Sequence, residues 1–161
     1  MDVGPRRTRR PVANDRRGVL SPPLPPVNRT LYASGTAWEP VVGYSRAVRV
    51  GPFVYVAGTT ATDAAGAVVA PGDAGRQAEV ALQKVGAALE RAGASFADVV
   101  RTRIYVTDIA DWEAVGRAHG AVFGDVRPAS TLVEVSALVD PGLVVEIEAE
   151  AIVPTPDPAT P

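Results

Sequence analysis

The chain has 161 residues, 47% of them apolar and 6% aromatic, with a net charge of −2, no cysteine and one histidine. This length suits one domain with a core built from Val, Ala, Leu and Ile rather than from rings. Disulfides, zinc–thiolate centres, cysteine nucleophiles and a histidine-rich metal site within one chain are excluded, and no run of apolar residues is long enough for a membrane-spanning helix.

The charge is unevenly spread. Residues 1–30 carry seven arginines against Asp2 and Asp15, a balance of +5, and the remainder carries 9 basic and 16 acidic residues, a balance of −7. Pro22-Pro23-Leu24-Pro25-Pro26 favours polyproline II and fits neither helix nor sheet interior. Residues 1–30 are therefore predicted to be a disordered Arg/Pro-rich tail, 31–153 the folded domain and 154–161 a second proline-rich tail. A basic arm could touch nucleic acid or membrane; a solvated tail is the simpler reading. No apolar segment resembles a secretory signal, so a cytoplasmic protein is expected.

Arg46–Val50 and Phe53–Gly58 alternate with a period near two around Gly51-Pro52, which predicts a hairpin. A further short strand or bulge is predicted at Ala67–Val69. Asp73 reads as an N-cap. Ala78, Ala81, Leu82, Val85, Leu89 and Ala92 then fall on one face of a helix over Ala74–Ala92, closed by Gly93. Ser95-Phe96-Ala97-Asp98 has capping-box spacing and predicts a single turn. Val99–Asp108 reads as a strand, Asp111–Val122 as a second helix stopped by Gly124, and Ser130–Val135 and Leu143–Val153 as two strands. In the last of these Glu146, Glu148 and Glu150 share one face. The order β-β-(β)-α-β-α-β-β predicts an α+β domain with one sheet and two helices packed on a single face. The other face then needs a partner subunit.

Several pieces in this order resemble the YjgF/RidA family (reactive-intermediate deaminases) over Gly43–Val153. They are Tyr44-Ser45-Arg46-Ala47, Val54-Tyr55-Val56-Ala57-Gly58, Gln77, Leu89–Ser95, Val106-Thr107-Asp108, Arg127-Pro128-Ala129 with Val133-Glu134-Val135, and Glu146-Ile147-Glu148-Ala149. The resemblance implies a chorismate-mutase-like fold, a homotrimer, and small-molecule clefts at subunit interfaces. It also implies hydrolysis of enamines or imines to a carbonyl product and ammonia, with no metal or organic cofactor.

Matched position by position, the family's cleft tyrosine is Tyr44, its ligand-facing glycine is Gly58, and its acidic residue that positions or activates water is Glu146. The backbone beside its substrate clamp is Thr131. The clamp arginine itself is replaced by Ser130, and two family asparagines fall at Ala110 and Gly116. A serine supplies one neutral hydroxyl where an arginine supplies a charged fork, a loss worth roughly 1.5–3 kcal/mol or ten- to a hundredfold. Arg127, three residues before Ser130, is a candidate to reach the cleft, with an ordinary surface role as the alternative. Glu146 is equally explained by an exposed sheet face, Tyr44 by interface packing, and Ser130 and Thr131 by strand propensity. His119 reads as packed or solvated. The alternative function is a non-enzymatic ligand-binding or interaction module of the same fold. Nucleic-acid binding through the basic arm is disfavoured by the acidic body.

Overall fold

The structure, a computed structural model, describes residues 28–154, so most of the two predicted tails lies outside the described residues. Its elements in chain order are β1 (Arg29–Tyr32), α1 (Trp38–Val42), β2 (Ala47–Val50), β3 (Phe53–Thr60), α2 (Ala74–Arg91), β4 (Val99–Val106), α3 (Trp112–Phe123), β5 (Ala129–Glu134) and β6 (Val145–Ile152). The six strands form one sheet in the order β1-β2-β3-β6-β4-β5. Every neighbouring pair is antiparallel except β4 and β5. A parallel pair needs a crossover, and α3 supplies it.

The predicted α+β class and single sheet hold. The two long helices, α2 and α3, pack against each other, and α2 against β3 and β6. Three local expectations change. The first strand begins at Arg29, inside the segment assigned to the tail, because Arg29–Tyr32 pairs with Val50–Ala47 and extends the hairpin sheet outward. Helix α1, five residues long, was not anticipated; so short a segment shows no periodicity. Ala67–Val69 forms no named strand and contributes only an isolated bridge between Thr62 and Val68. The Asp73 cap accepts from Arg76 N, and the Ser95–Asp98 box forms with both of its bonds. Gly93 takes the left-handed conformation (φ +72) one residue past the α2 cap.

The core lies between the sheet and the helices. Val145, Ile147, Ala149 and Ala151 of β6 are buried, as are Thr102, Ile104 and Val106 of β4. Ala78, Ala81, Leu82, Val85 and Leu89 of α2 meet them with Val115 and Phe123 of α3. Full burial of a side chain such as Leu82 or Leu89 contributes about 1.5–3 kcal/mol. The many small residues let α2 lie close; a side chain at Gly86 would strike the Phe96 ring, 2.7 Å away. Gln77 is polar yet has no exposed surface. Its amide donates to the carbonyls of Ala70 (3.1 Å) and Gly142 (2.8 Å) and accepts from Val144 N (2.8 Å). That pins the entry of β6 to the start of α2.

The strand period sends the remaining residues to the opposite face. Glu146, Glu148 and Glu150 of β6 stand there beside Arg101, Arg103 and Tyr105 of β4 in direct cross-strand register. Neither long helix covers this face, and Phe53, Tyr55, Val133 and Ile152 remain between 41% and 47% exposed.

Candidate functional site

Tyr44 is placed by the way α1 ends. Gly43 adopts φ +80, a region that disfavours side chains, and its N–H and that of Tyr44 both donate to the Glu39 carbonyl. The Glu39 carboxylate is itself buried and accepts from Ser34 N (2.8 Å), Ser34 Oγ (2.7 Å) and Gly35 N (3.3 Å). Burial works against its ionisation, but these hydrogen bonds, with help from Arg46, win and hold its pKa below the usual value. The loop before β2 is thus locked, and Tyr44 is presented next to Arg46.

Arg46 gathers the site. Its guanidinium lies over the Tyr44 ring, 5.5 Å from the centroid, and donates to the Tyr44 hydroxyl at 3.1 Å. It also donates to the Gly58 carbonyl (2.7 Å) and to Thr59 Oγ1 (2.9 Å). The β3–β6 ladder breaks between Val56 and Thr59, so Ala57 and Gly58 form a bulge that Arg46 clamps. Opposite the bulge, Glu146 pairs with Thr60, and its carboxylate occupies the space a side chain on Gly58 would fill.

Burial raises the Glu146 pKa above the ordinary carboxylate value; nearby Glu148 raises it further, and Arg46 offsets part of the effect. Its two neighbours are spent differently. Glu148 and Glu150 both accept from Arg103 at 2.8 Å, and Tyr105 donates to Glu148 at 3.2 Å. The three alternating glutamates are therefore not equivalent: two lie in an ion-pair network, and Glu146 is half-buried with no arginine bonded to it among the described residues. A cavity of about 250 Å³ beside this network is lined by Ser45, Tyr55, Arg103, Glu148 and Glu150. The groove of about 720 Å³ between α2 and α3 contains none of these groups.

The other matched residues stand elsewhere in the chain. Ser130 and Thr131 lie on the edge strand β5, separated from β6 by β4. Thr131 pairs with Arg103 and shares the open face. Ser130 pairs with Thr102 and is turned to the helix side, where Thr102 Oγ1 donates to Ser130 Oγ at 2.9 Å and lies 3.0 Å from His119 Nε2. Arg127 has φ +51, and its Nε donates to the Gly124 carbonyl at 3.2 Å, closing the end of α3. Within one chain Tyr44, Gly58 and Glu146 form one group, and Ser130, Thr131 and Arg127 stand apart from it and from one another.

Sequence reasoning passed over two cations. Arg46 was read only as part of a matching motif, although a charge in an otherwise apolar strand start is a signal of a structural clamp. Lys84 of α2 donates to the carbonyls of Thr60 (2.8 Å) and Thr62 (3.0 Å) and to Thr62 Oγ1 (2.8 Å), tying down the end of β3. Burial, then Arg46, lowers its pKa, against a smaller opposing effect of Asp63. Among the described residues no group of three His, Cys, Asp or Glu could hold a metal ion, and no helix is long and apolar enough to cross a membrane.

Residues 34–153 match the family model described as Endoribonuclease L-PSP. The structure superposes with a TM-score of 0.71 on a crystal structure of a YjgF/YER057c/UK114 family member from Mycobacterium tuberculosis, 52% identical, covering 78% of this chain and 100% of that one. A RutC family protein of Pyrococcus abyssi is 35% identical over 113 residues, 70% of this chain and 88% of its own. The 2-iminobutanoate/2-iminopropanoate deaminase of Rattus norvegicus is 32% identical over 124 residues, 77% and 90% of the two chains.

Proposed function

The chain belongs to the YjgF/RidA family, and from that premise we propose that it hydrolyses a small enamine or imine to a carbonyl compound and ammonia in clefts shared between subunits of a homotrimer. The observation that carries this reading is the state of Glu146. It is half-buried, free of an arginine bond among the described residues, and set opposite the clamped Gly58 bulge beside Tyr44 and Arg46.

A carboxylate of raised pKa exchanges a proton near neutral pH more readily than an ordinary one. As water oxygen bonds to the imine carbon, Glu146 takes one water proton, the C=N π pair moves to nitrogen, and Glu146 passes that proton to the nitrogen, giving a neutral carbinolamine. Glu146 then takes the hydroxyl proton as the carbonyl forms and delivers it to the nitrogen, and the C–N bond pair leaves with ammonia. Imine plus water gives carbonyl plus ammonia, with no redox partner or cofactor required. Tyr44 would bound the cleft and orient the substrate through its hydroxyl.

Two features support a shared cleft. Ser130 is turned to the helix side of edge strand β5 while Glu146 stands on the open face of β6, so a site that uses both side chains takes one from each of two copies. The uncovered sheet face carries exposed Phe53, Tyr55, Val133 and Ile152, the sort of apolar surface a partner buries.

The departure at Ser130 favours a second reading, ligand binding without turnover. RNA cleavage fits the side chains less well. The described open face is rich in glutamates, its Arg103 is committed to two of them, and the one histidine cannot form an acid–base pair with another. Wild-type protein and Glu146→Gln would be given enzymatically generated 2-aminoacrylate and 2-iminobutanoate while keto acid release is followed. Acceleration by wild type that Glu146→Gln loses supports the deaminase. Absence of acceleration with every imine, together with thermal stabilisation by the keto acids, would leave the binding module.

A further inference from the structure

The side chains of Ser130, Thr102 and His119 form a chain of hydrogen bonds that the reaction above does not use. Its outer end, Ser130, is exposed on the edge strand. Its middle, Thr102, has no exposed surface at all. Its inner end is the half-buried imidazole of His119 on α3, tilted against the Phe123 ring with the ring centroids 4.6 Å apart. The links are 2.9 Å from Thr102 Oγ1 to Ser130 Oγ and 3.0 Å from Thr102 Oγ1 to His119 Nε2.

A hydroxyl has one proton to donate, so the polarity of such a chain is set from one end. When His119 Nε2 carries a proton, it donates to Thr102, Thr102 donates to Ser130, and Ser130 must donate outward. A protonated imidazole adds a positive charge behind that donor. We propose that His119, acting through Thr102, makes Ser130 a charge-backed donor for a substrate carboxylate, supplying at two hydroxyls' remove the cation that Ser130 itself lacks. The proposal rests on the reading above that places Ser130 in the substrate cleft. Ser130 is then the binding residue, and Thr102 and His119 are positioning residues.

Among the described residues, several cations on the elements beside His119 are already engaged. Arg101 and Arg103 on β4 pair with Glu150, and Arg103 with Glu148 as well. On α2 Arg76 pairs with Glu79, on α3 Arg117 pairs with Glu113, and Arg127 bonds the end of α3. Glu134 on β5 accepts from Ile109 N. Burial alone lowers the His119 pKa, which favours the neutral imidazole in the unliganded site. A bound anion stabilises the charged form and raises that pKa, and reciprocally the protonated form binds the anion more tightly.

One histidine in the chain means one imidazole resonance to follow. Its NMR titration would be recorded with and without 2-oxobutanoate, and with the neutral 2-oxobutanamide as control, alongside calorimetric affinities from pH 5 to 8. The expected result is about tenfold tighter binding of 2-oxobutanoate to the His119-protonated form, equivalent to a one-unit upward move of the titration midpoint. The amide should move it little. Thr102→Val should abolish the move, Thr102→Ser should keep it, and His119→Gln should still bind at pH 8 but lose this pH dependence. If 2-oxobutanoate binds with no movement of the His119 midpoint, or with the same pH dependence in Thr102→Val and His119→Gln, the relay is overturned and the cleft stands. If wild type binds no keto acid at any pH, both fall.

Discussion

Glu146 occupies the space of the side chain that Gly58 does not have: a Cβ on residue 58 would sit 2.9 Å from Glu146 Cδ and closer still to its carboxylate oxygen. The glycine is there for room, since its backbone is not in the left-handed region. Gly58→Ala is therefore expected to push the flexible carboxylate aside rather than unfold the protein. Imine turnover should drop by at least tenfold while the melting temperature moves by only a few degrees. Retention of full activity in this variant would show that the position of Glu146 is not catalytic.

Glu146→Gln tests the proton transfer and the stability linkage together. General acid–base groups contribute typically about 10²–10⁴-fold, so kcat should fall within that range. In wild type, activity should rise with pH through a midpoint above the usual carboxylate value, because the ionised form is the base. Stability moves the other way. The folded state holds the Glu146 proton more tightly than the unfolded chain, so the fold loses stability as pH rises from the unfolded pKa through the raised folded one. The Gln variant should therefore melt higher than wild type at pH 7, with the gap closing toward pH 4.

Gln77→Leu leaves the carbonyls of Ala70 and Gly142 and the N–H of Val144 without their partner in a fully buried place. Each orphaned group costs about 1–3 kcal/mol, so a total loss of about 3 kcal/mol or more is expected in urea unfolding. The entry of β6 would be loosened with it. A stability equal to wild type would show that solvent or a rearranged loop replaces all three bonds.

The open face should be an interface. Light scattering is expected to give about three times the 16.7 kDa chain mass. Val133→Arg, on the edge strand beside Tyr105, should dissociate the assembly and abolish turnover together, since the charge would be buried against a neighbour. A monomeric wild type that retains turnover would remove the shared cleft.

Much of this architecture could be read from local pattern. The alternation in Val145–Ile152 assigned its glutamates to one face, and the three- and four-residue steps in Ala74–Arg91 assigned its buried stripe. Both periods follow from backbone geometry alone, and the Asp73 and Ser95–Asp98 caps use neighbours within four residues. Strand β1 and helix α1 were missed because four and five residues carry too little period to stand out from a polar, proline-rich surrounding.

The sequence by itself determined the class of fold, the core faces and, through ordered motifs, the family. It could not say that Glu148 and Glu150 share a bond to one arginine while, among the described residues, Glu146 bonds none, because Arg103 reaches them from 45 and 47 residues away. Nor could it separate Tyr44, Gly58 and Glu146 from Ser130 and Thr131, or join Ser130 to His119. Those outcomes depend on the insertion of β6 between β3 and β4 and on α3 crossing over to β5. Strand order sets which charges share a face and which are desolvated, and spacing along the chain carries no information about it.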